Sequence, residues 1–127
     1  IKKRNQIASL YYKHLNNFSG VIKVFKPNKT VYSSFHLQLV IINFDKLKIS
    51  KDIFIKLLNK ENIFPQYHYM PIYKFIYYKN LNKKNFYKDT DKYYKSALSF
   101  PIYFSLEKKN LTKIFNTVKR IIGKNLK

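Results

Sequence analysis

The side chains best suited to bind a polar ligand are grouped in one tyrosine-rich segment near the middle of the sequence. His68 and Tyr69 are followed closely by Pro71, Tyr73 and Tyr77. An imidazole can donate a hydrogen bond to an anionic oxygen, and a phenol offers both a hydroxyl group and an apolar ring face. A histidine between two tyrosines is, however, more often a packing residue than a ligand, by about three to one. The residue types alone leave both roles open.

The other titratable residues form no comparable motif. Cysteine is absent, which excludes a disulfide framework, a thiolate nucleophile and a thiolate metal site. Asp45, Asp52, Asp89 and Asp91 could be imagined as an acid–base or metal-binding set, but they fall at predicted helix caps and loops. We interpret these aspartates as capping or solvated residues.

The sequence is strongly basic, with 26 Lys and Arg residues against 6 Asp and Glu residues and a formal net charge of +20. Such a charge raises nucleic acid or an anionic membrane as a partner, and a run of tyrosines could stack on single-stranded bases. The lysines are spread along the whole chain, however, and accompany many Asn, Ile, Phe and Tyr residues, whose codons are rich in A and T. We favour genome base composition as the cause. A basic, aromatic nucleic-acid-binding module stays the alternative, although no RNP-like or helix-turn-helix pattern supports it.

Length and composition predict a single domain. The chain has 127 residues, of which 46% are hydrophobic and 18% aromatic, enough for one core. No apolar run approaches the roughly 20 residues needed to cross a bilayer, and the start lacks the order of a secretory signal. We therefore expect no membrane partner and a cytoplasmic location. Because apolar residues repeat at helical spacing directly after Ile1, we also expect the chain to begin inside a helix of a longer protein.

Hydrophobic periodicity and turn residues predict short helices and strands in mixed order. The predicted extended segments are Val21–Phe25, Val31–Asn43, Ile63–Tyr67 and Leu98–Ile102. Five helices are predicted. The first runs from the start of the chain to Asn16-Asn17, the second begins at Ser50, and the third covers Pro71–Tyr78. The fourth begins at Asp89 or Thr90, and the last runs from Ser105 to Gly123. Few connections leave room for parallel crossovers. The predicted fold class is therefore α+β, a two-layer small domain with a mainly antiparallel sheet and helices on one face.

The helix after Ser50 carries the sharpest local signals. Ser50 is a typical N-cap residue, and Asn62 is a plausible left-handed stop. The apolar stripe between them consists of Ile53, Phe54, Leu57 and Leu58. This stripe is expected to face the core.

Several short motifs, in order along essentially the whole chain, resemble those of the DegT/DnrJ/EryC1/StrS family of sugar aminotransferases. They are Lys3-Arg4 with Ile7-Ala8 and Tyr11, Ser33-Ser34-Phe35-His36-Leu37, Gln66-Tyr67-His68-Tyr69 with Pro71-Ile72-Tyr73, Tyr77-Tyr78, and Tyr93-Tyr94 with Leu98-Ser99-Phe100-Pro101. The third motif is similar to the corresponding motif of one branch of the family, the transaminases that make a UDP-linked 4-amino-4,6-dideoxy sugar in pseudaminic acid synthesis. Asn62 stands where the family usually has Gly, and Phe100 where it usually has Leu.

The resemblance implies the C-terminal domain of a fold type I aminotransferase. Such an enzyme moves an amino group from glutamate to a nucleotide-linked 4-keto-6-deoxy sugar, and its pyridoxal phosphate is held mainly by an N-terminal large domain that is absent here. The resemblance implies a homodimer in the intact enzyme. It assigns substrate binding to His68, Tyr69, Tyr73 and Tyr77, and loop shaping to Pro71. It places no catalytic, cofactor-binding or metal-binding residue in this chain.

Two consequences of the resemblance compete. The isolated chain is expected to be an inactive part of a transaminase. The competing interpretation is a remnant of a split aminotransferase gene, which folds poorly because it exposes a surface that the large domain normally covers.

Overall fold

The computed structural model describes residues 1–26, 30–79 and 87–127. Its helices are α1 (Lys2–Leu15), α2 (Lys51–Lys60), α3 (Ile76–Lys79), α4 (Lys88–Ser96) and α5 (Lys108–Lys124). Its strands are β1 (Ile22–Val24), β2 (Gln38–Ile42), β3 (Gln66–Tyr67) and β4 (Ala97–Phe100). Short 3-10 turns cover Phe18–Gly20, Phe44–Lys46 and Ile72–Lys74.

The four strands form one antiparallel sheet in the order β1-β2-β4-β3. Opposite residues in the register, such as Val24 with Val40 and Val40 with Leu98, point to the same face. These side chains are buried in one hydrophobic cluster with residues of α1, α2 and α5. The predicted α+β fold class is confirmed.

Helix α1 packs on β1 and α5 through Ile7, Ala8, Tyr11 and Leu15, which recur at helical spacing. Tyr11 is fully buried, and its hydroxyl donates a hydrogen bond to the Pro101 carbonyl oxygen at 2.9 Å. Burial raises the pKa of the Tyr11 phenol. This hydrogen bond ties the first helix to the segment that follows β4.

The strand predicted over Val31–Asn43 is too long at its N-terminal end, since β2 begins only at Gln38. Phe35 has φ 42°, and its amide donates to the Ser33 hydroxyl oxygen at 3.1 Å. A left-handed residue breaks the pleat, so the alternating pattern before Gln38 belongs to a loop. His36, in that loop, is exposed.

Three predicted helix ends are also wrong. Helix α4 begins at Lys88, so Asp89 and Thr90 lie inside it, and α5 begins at Lys108, after Ser105. Gly123 lies inside α5, because Ile121 and Ile122 still pack in the core and keep the last turn helical.

Helix α2 agrees more closely with its signals. The Ser50 hydroxyl oxygen accepts from the Ile53 amide at 3.3 Å, and Asn62 is left-handed with φ 59°. Phe54 and Leu58 are buried as predicted, while Ile53 is 46% exposed and Ile55 takes its place in the core.

Substitution of Asn62 tests whether its left-handed backbone conformation helps to end α2. We expect Asn62→Ala to lower the free energy of unfolding by about 1 kcal/mol, because a side chain with Cβ and no compensating polar group is disfavoured there. Asn62→Gly should leave the free energy unchanged or raise it. Urea denaturation measures both, with Asn59→Ala on exposed α2 as the near-neutral control. A greater loss for Gly than for Ala would contradict the assignment.

Candidate functional site

A cavity of about 710 Å³ opens between the segment that follows β3 and the facing side of α4. Strand β3 ends at Tyr67, and the chain then runs through His68 and Pro71 into the 3-10 turn Ile72–Lys74. The cavity is lined by His68, Tyr69, Met70, Pro71, Ile72, Tyr73, Tyr78, Tyr87, Thr90, Tyr93 and Tyr94. The lining is largely aromatic, with hydroxyl groups and one imidazole as its polar groups.

His68 is held by contacts from both sides of the cavity. Its Nδ1 lies 2.9 Å from the Tyr93 hydroxyl, and its ring stacks on Tyr69 with centroids 4.8 Å apart. When the Tyr93 hydroxyl donates to Nδ1, the neutral imidazole carries its proton on Nε2. His68 then retains an N–H donor for a ligand.

A second set of contacts fixes the far side of the cavity. Tyr73 stacks on Tyr87 with ring centroids 4.7 Å apart, and the Lys74 ammonium lies 2.6 Å from an Asp91 carboxylate oxygen. The hydrogen bond from Lys74 lowers the pKa of Asp91, while burial raises the pKa of the Tyr73 phenol.

Two aspartates that we interpreted as capping or solvated therefore have partners. Asp91 pairs with Lys74, and Asp52 accepts a hydrogen bond from the Tyr67 hydroxyl. That hydrogen bond is the largest contribution that raises the pKa of Tyr67 to about 12. Both carboxylates hold elements together beside the cavity.

The structure brings together most of the residues singled out in the sequence. His68, Tyr69, Pro71 and Tyr73 all line the cavity. Tyr77 does not: it is 76% exposed on α3 and contacts Tyr78 edge to face. Substrate binding by these residues stays a prediction.

Sequence reasoning missed the wall supplied by α4. Tyr87, Thr90, Tyr93 and Tyr94 stand at spacings of three, six and seven residues and so share one helical face. That spacing was a usable signal. Because α4 also carries many lysines, its tyrosine face did not stand out as a core stripe.

The lining of the cavity does not fit pyridoxal phosphate by itself. The described residues that line it include no lysine for a Schiff base, no carboxylate for the pyridine nitrogen and no arginine for the phosphate. This donor set can contact a ligand without holding that cofactor.

A second cavity of about 610 Å³ lies beside the end of β2 and a different face of α4. Lys88, Lys92 and Lys95 line it together with Ile41 and Phe44. Asp45 and Asp91 also line it, so the three lysines exceed the acidic groups by one, and none of the tyrosines of the first cavity is among its lining residues.

The family model described as the DegT/DnrJ/EryC1/StrS aminotransferase family matches residues 1–119. The chain belongs to this family. Enzymes of the family use pyridoxal phosphate, and the resemblance drawn from the short motifs is confirmed.

Two curated relatives of this family member match over 98% of the chain. An uncharacterized protein of Methanocaldococcus jannaschii is 31% identical, and the UDP-4-amino-4,6-dideoxy-N-acetyl-beta-L-altrosamine transaminase of Campylobacter jejuni is 29% identical. The chain spans only 32% of the length of each.

Among solved structures, the fold matches Helicobacter pylori PseC, an aminotransferase involved in the biosynthesis of pseudoaminic acid. The TM-score is 0.85 at 23% identity, over 97% of this chain and 33% of that one. This likeness shows the fold of the aminotransferase domain. Within the described residues, no helix of this family member is both long and apolar enough to cross a membrane.

The contact between Tyr93 and His68 gives a prediction for the site. Tyr93→Phe removes the hydroxyl beside Nδ1, so we expect the Nε2–H fraction of neutral His68 to fall toward that of a solvent-exposed histidine. Nitrogen-15 NMR of the labelled imidazole reports the tautomer. Tyr77→Phe, at an exposed tyrosine outside the cavity lining, is the matched control. A wild-type spectrum dominated by the Nδ1–H tautomer would show that the Tyr93 hydroxyl does not donate to His68.

Proposed function

We propose that this chain is the substrate-closing C-terminal domain of a pyridoxal-phosphate-dependent aminotransferase. The enzyme would move an amino group from glutamate to a nucleotide-linked 4-keto-6-deoxy sugar. The tyrosine-lined cavity around His68, in a domain of this family, is the observation that carries the proposal. The name of the Campylobacter jejuni relative, a UDP-4-amino-4,6-dideoxy-N-acetyl-beta-L-altrosamine transaminase, supports a UDP-sugar as the substrate. We further propose a role in the synthesis of nonulosonic acids or surface polysaccharides.

The cavity offers complementary groups for the two parts of such a substrate. The Nε2–H of His68 can donate to a diphosphate oxygen, and the exposed hydroxyl and ring of Tyr69 can bind a sugar hydroxyl and cover a sugar face. Tyr73 would form part of the wall, and Pro71 would restrict the backbone that aims His68 and Tyr69. The net charge of +20 would attract a diphosphate-bearing ligand to the domain.

The remaining parts of the enzyme would come from outside this chain. Pyridoxal phosphate, when bound, supplies the electron sink for transamination. An N-terminal large domain would hold it, and this chain would contribute binding, orientation and exclusion of water from one side of the cleft. We further propose a homodimer and a cytoplasmic location for the intact enzyme, with Tyr77 as a second contact near the cleft.

Binding of UDP tests the proposed role of His68 in the chain as it stands. His68→Ala should weaken UDP binding about ten- to hundredfold, because one hydrogen bond to a charged group contributes about 1.5–3 kcal/mol. Isothermal titration calorimetry measures the affinity. His36→Ala, at an exposed histidine in the loop before β2, is the matched control and should change it less than twofold.

Single-stranded oligonucleotides distinguish the nucleic-acid alternative. Salt-sensitive oligonucleotide binding that His68→Ala leaves unchanged, together with no binding of UDP, would replace the proposal by a nucleic-acid-binding module.

The isolated chain is predicted to lack the chemistry of the intact enzyme. After incubation with pyridoxal phosphate and dialysis, it should show neither the absorbance of a bound internal aldimine nor transamination with glutamate. Among the described residues that line the cavity, no lysine is present to form that aldimine. Retention of one equivalent of cofactor by the chain alone would contradict the division of labour proposed here.

A further inference from the structure

Lys51, the first residue of α2, sends its ammonium group into the junction between α4 and β4. Nζ donates to the Tyr94 carbonyl oxygen at 2.6 Å and to the Ala97 carbonyl oxygen at 2.8 Å. Tyr94 lies in the last turn of α4, and Ala97 is the C-cap residue that directly follows the helix. Carbonyl groups at a helix C-terminus lack intrahelical partners and attract cations. Lys51 therefore caps α4 from a distant part of the chain.

The same ammonium lies between aromatic rings from two elements. Nζ is 4.8 Å from the ring centroid of Tyr67 on β3 and 4.9 Å from that of Tyr94 on α4. Both distances are within the range of a cation–π interaction. The neighbouring Asp52 accepts a hydrogen bond from the Tyr67 hydroxyl. The first turn of α2 thus binds β3 and α4 at once.

One wall of the tyrosine-lined cavity is the segment that directly follows β3, and the other wall is α4. Tyr67 is followed directly by His68, and Tyr94 is preceded directly by Tyr93. The 2.9 Å contact between the His68 Nδ1 and the Tyr93 hydroxyl spans the walls. Each partner of that contact is therefore one residue away from a ring that Lys51 contacts.

The electrostatic surroundings indicate that this lysine serves the junction rather than its own helix. A cation in the first turn of α2 faces the unfavourable end of the helix dipole. Burial lowers the pKa of Lys51 to about 8, against the opposing effect of Asp52. The other groups that face Lys51 are the phenols of Tyr67 and Tyr94, and Lys74 approaches the Tyr94 ring to 5.0 Å while paired with Asp91.

We propose that Lys51 is a positioning residue of the cavity, whose ammonium group holds the end of α4 against β3 and so sets the His68–Tyr93 contact. Lys51 does not line the cavity itself and acts through Tyr67 and Tyr94. The consequence for ligand binding rests on the proposed function. The consequence for His68 does not.

The test compares Lys51→Met, Lys51→Arg and the exposed-site control Lys56→Met in the 127-residue chain. Nitrogen-15 NMR of His68 and hydrogen exchange of the α4 amides report how the two walls are held together. Calorimetry with UDP reports the binding affinity. Lys51→Met should shift the His68 tautomer ratio toward that of a solvent-exposed histidine and speed exchange at the end of α4. It should also weaken UDP binding about tenfold, because His68 is then no longer positioned for its charged hydrogen bond to the ligand. Lys51→Arg keeps a charged donor that stacks on aromatic rings and should restore all three. Lys56→Met should match the wild type.

The pH profile separates positioning from a general effect on stability. The ammonium is present below about pH 8, so UDP affinity of the wild type should fall as the pH rises through about 8, while that of Lys51→Met stays flat. The stability contribution of Lys51 has the opposite sign. The unfolded chain keeps the proton up to the ordinary value of 10.5, so this contribution to the free energy of unfolding rises between about 8 and 10.5.

Unchanged His68 signals and UDP affinity in Lys51→Met would overturn the inference, even if that variant melted earlier. If Lys51→Met does not fold, Lys51→Arg and the wild-type pH profile decide the question. If the wild type binds no UDP, the proposed function fails, and the His68 and exchange measurements still decide whether Lys51 positions the walls.

Discussion

Both walls of the cavity depend on the pairing of β4 at its two edges. β4 pairs with β2 on one side and with β3 on the other, and its four residues are all buried. Helix α4 runs into it without a loop, since Ser96 ends the helix and Ala97 begins the strand. The direction of β3 toward His68 and the position of Tyr93 on α4 are therefore set by one buried backbone segment.

Different interactions stabilise the core of the domain and the surroundings of the cavity. Around Tyr11, Phe54 and Val118 the side chains are fully buried, and apolar packing supplies the stability. Around the cavity the tyrosines are half-exposed, and a few polar contacts define their arrangement. Regions with little buried apolar surface open at low free energy cost. The apolar core is therefore the more rigid part of the domain, and the surroundings of the cavity open more readily.

The sequence predicted the elements whose signals are local and left out those that depend on distant contacts. Ser50 and Asn62 marked the ends of α2 because capping and a left-handed φ are properties of a few neighbouring residues. The alternating pattern before Gln38 failed because the left-handed Phe35 ends the strand, and Gly123 failed because core packing carries α5 past it. The role of Lys51 was not visible, since its partners lie 43 and 46 residues away. The motif around His68 predicted where the candidate site lies. The opposite wall, on α4, was recognised only from the three-dimensional structure.

The location of a bound nucleotide tests this account most directly. In a crystal structure of the chain with UDP, the account predicts the diphosphate within hydrogen-bonding distance of the His68 Nε2, against the tyrosine-lined wall of α4. UDP seated instead in the basic cavity of Lys88, Lys92 and Lys95, with the space around His68 empty, would contradict it.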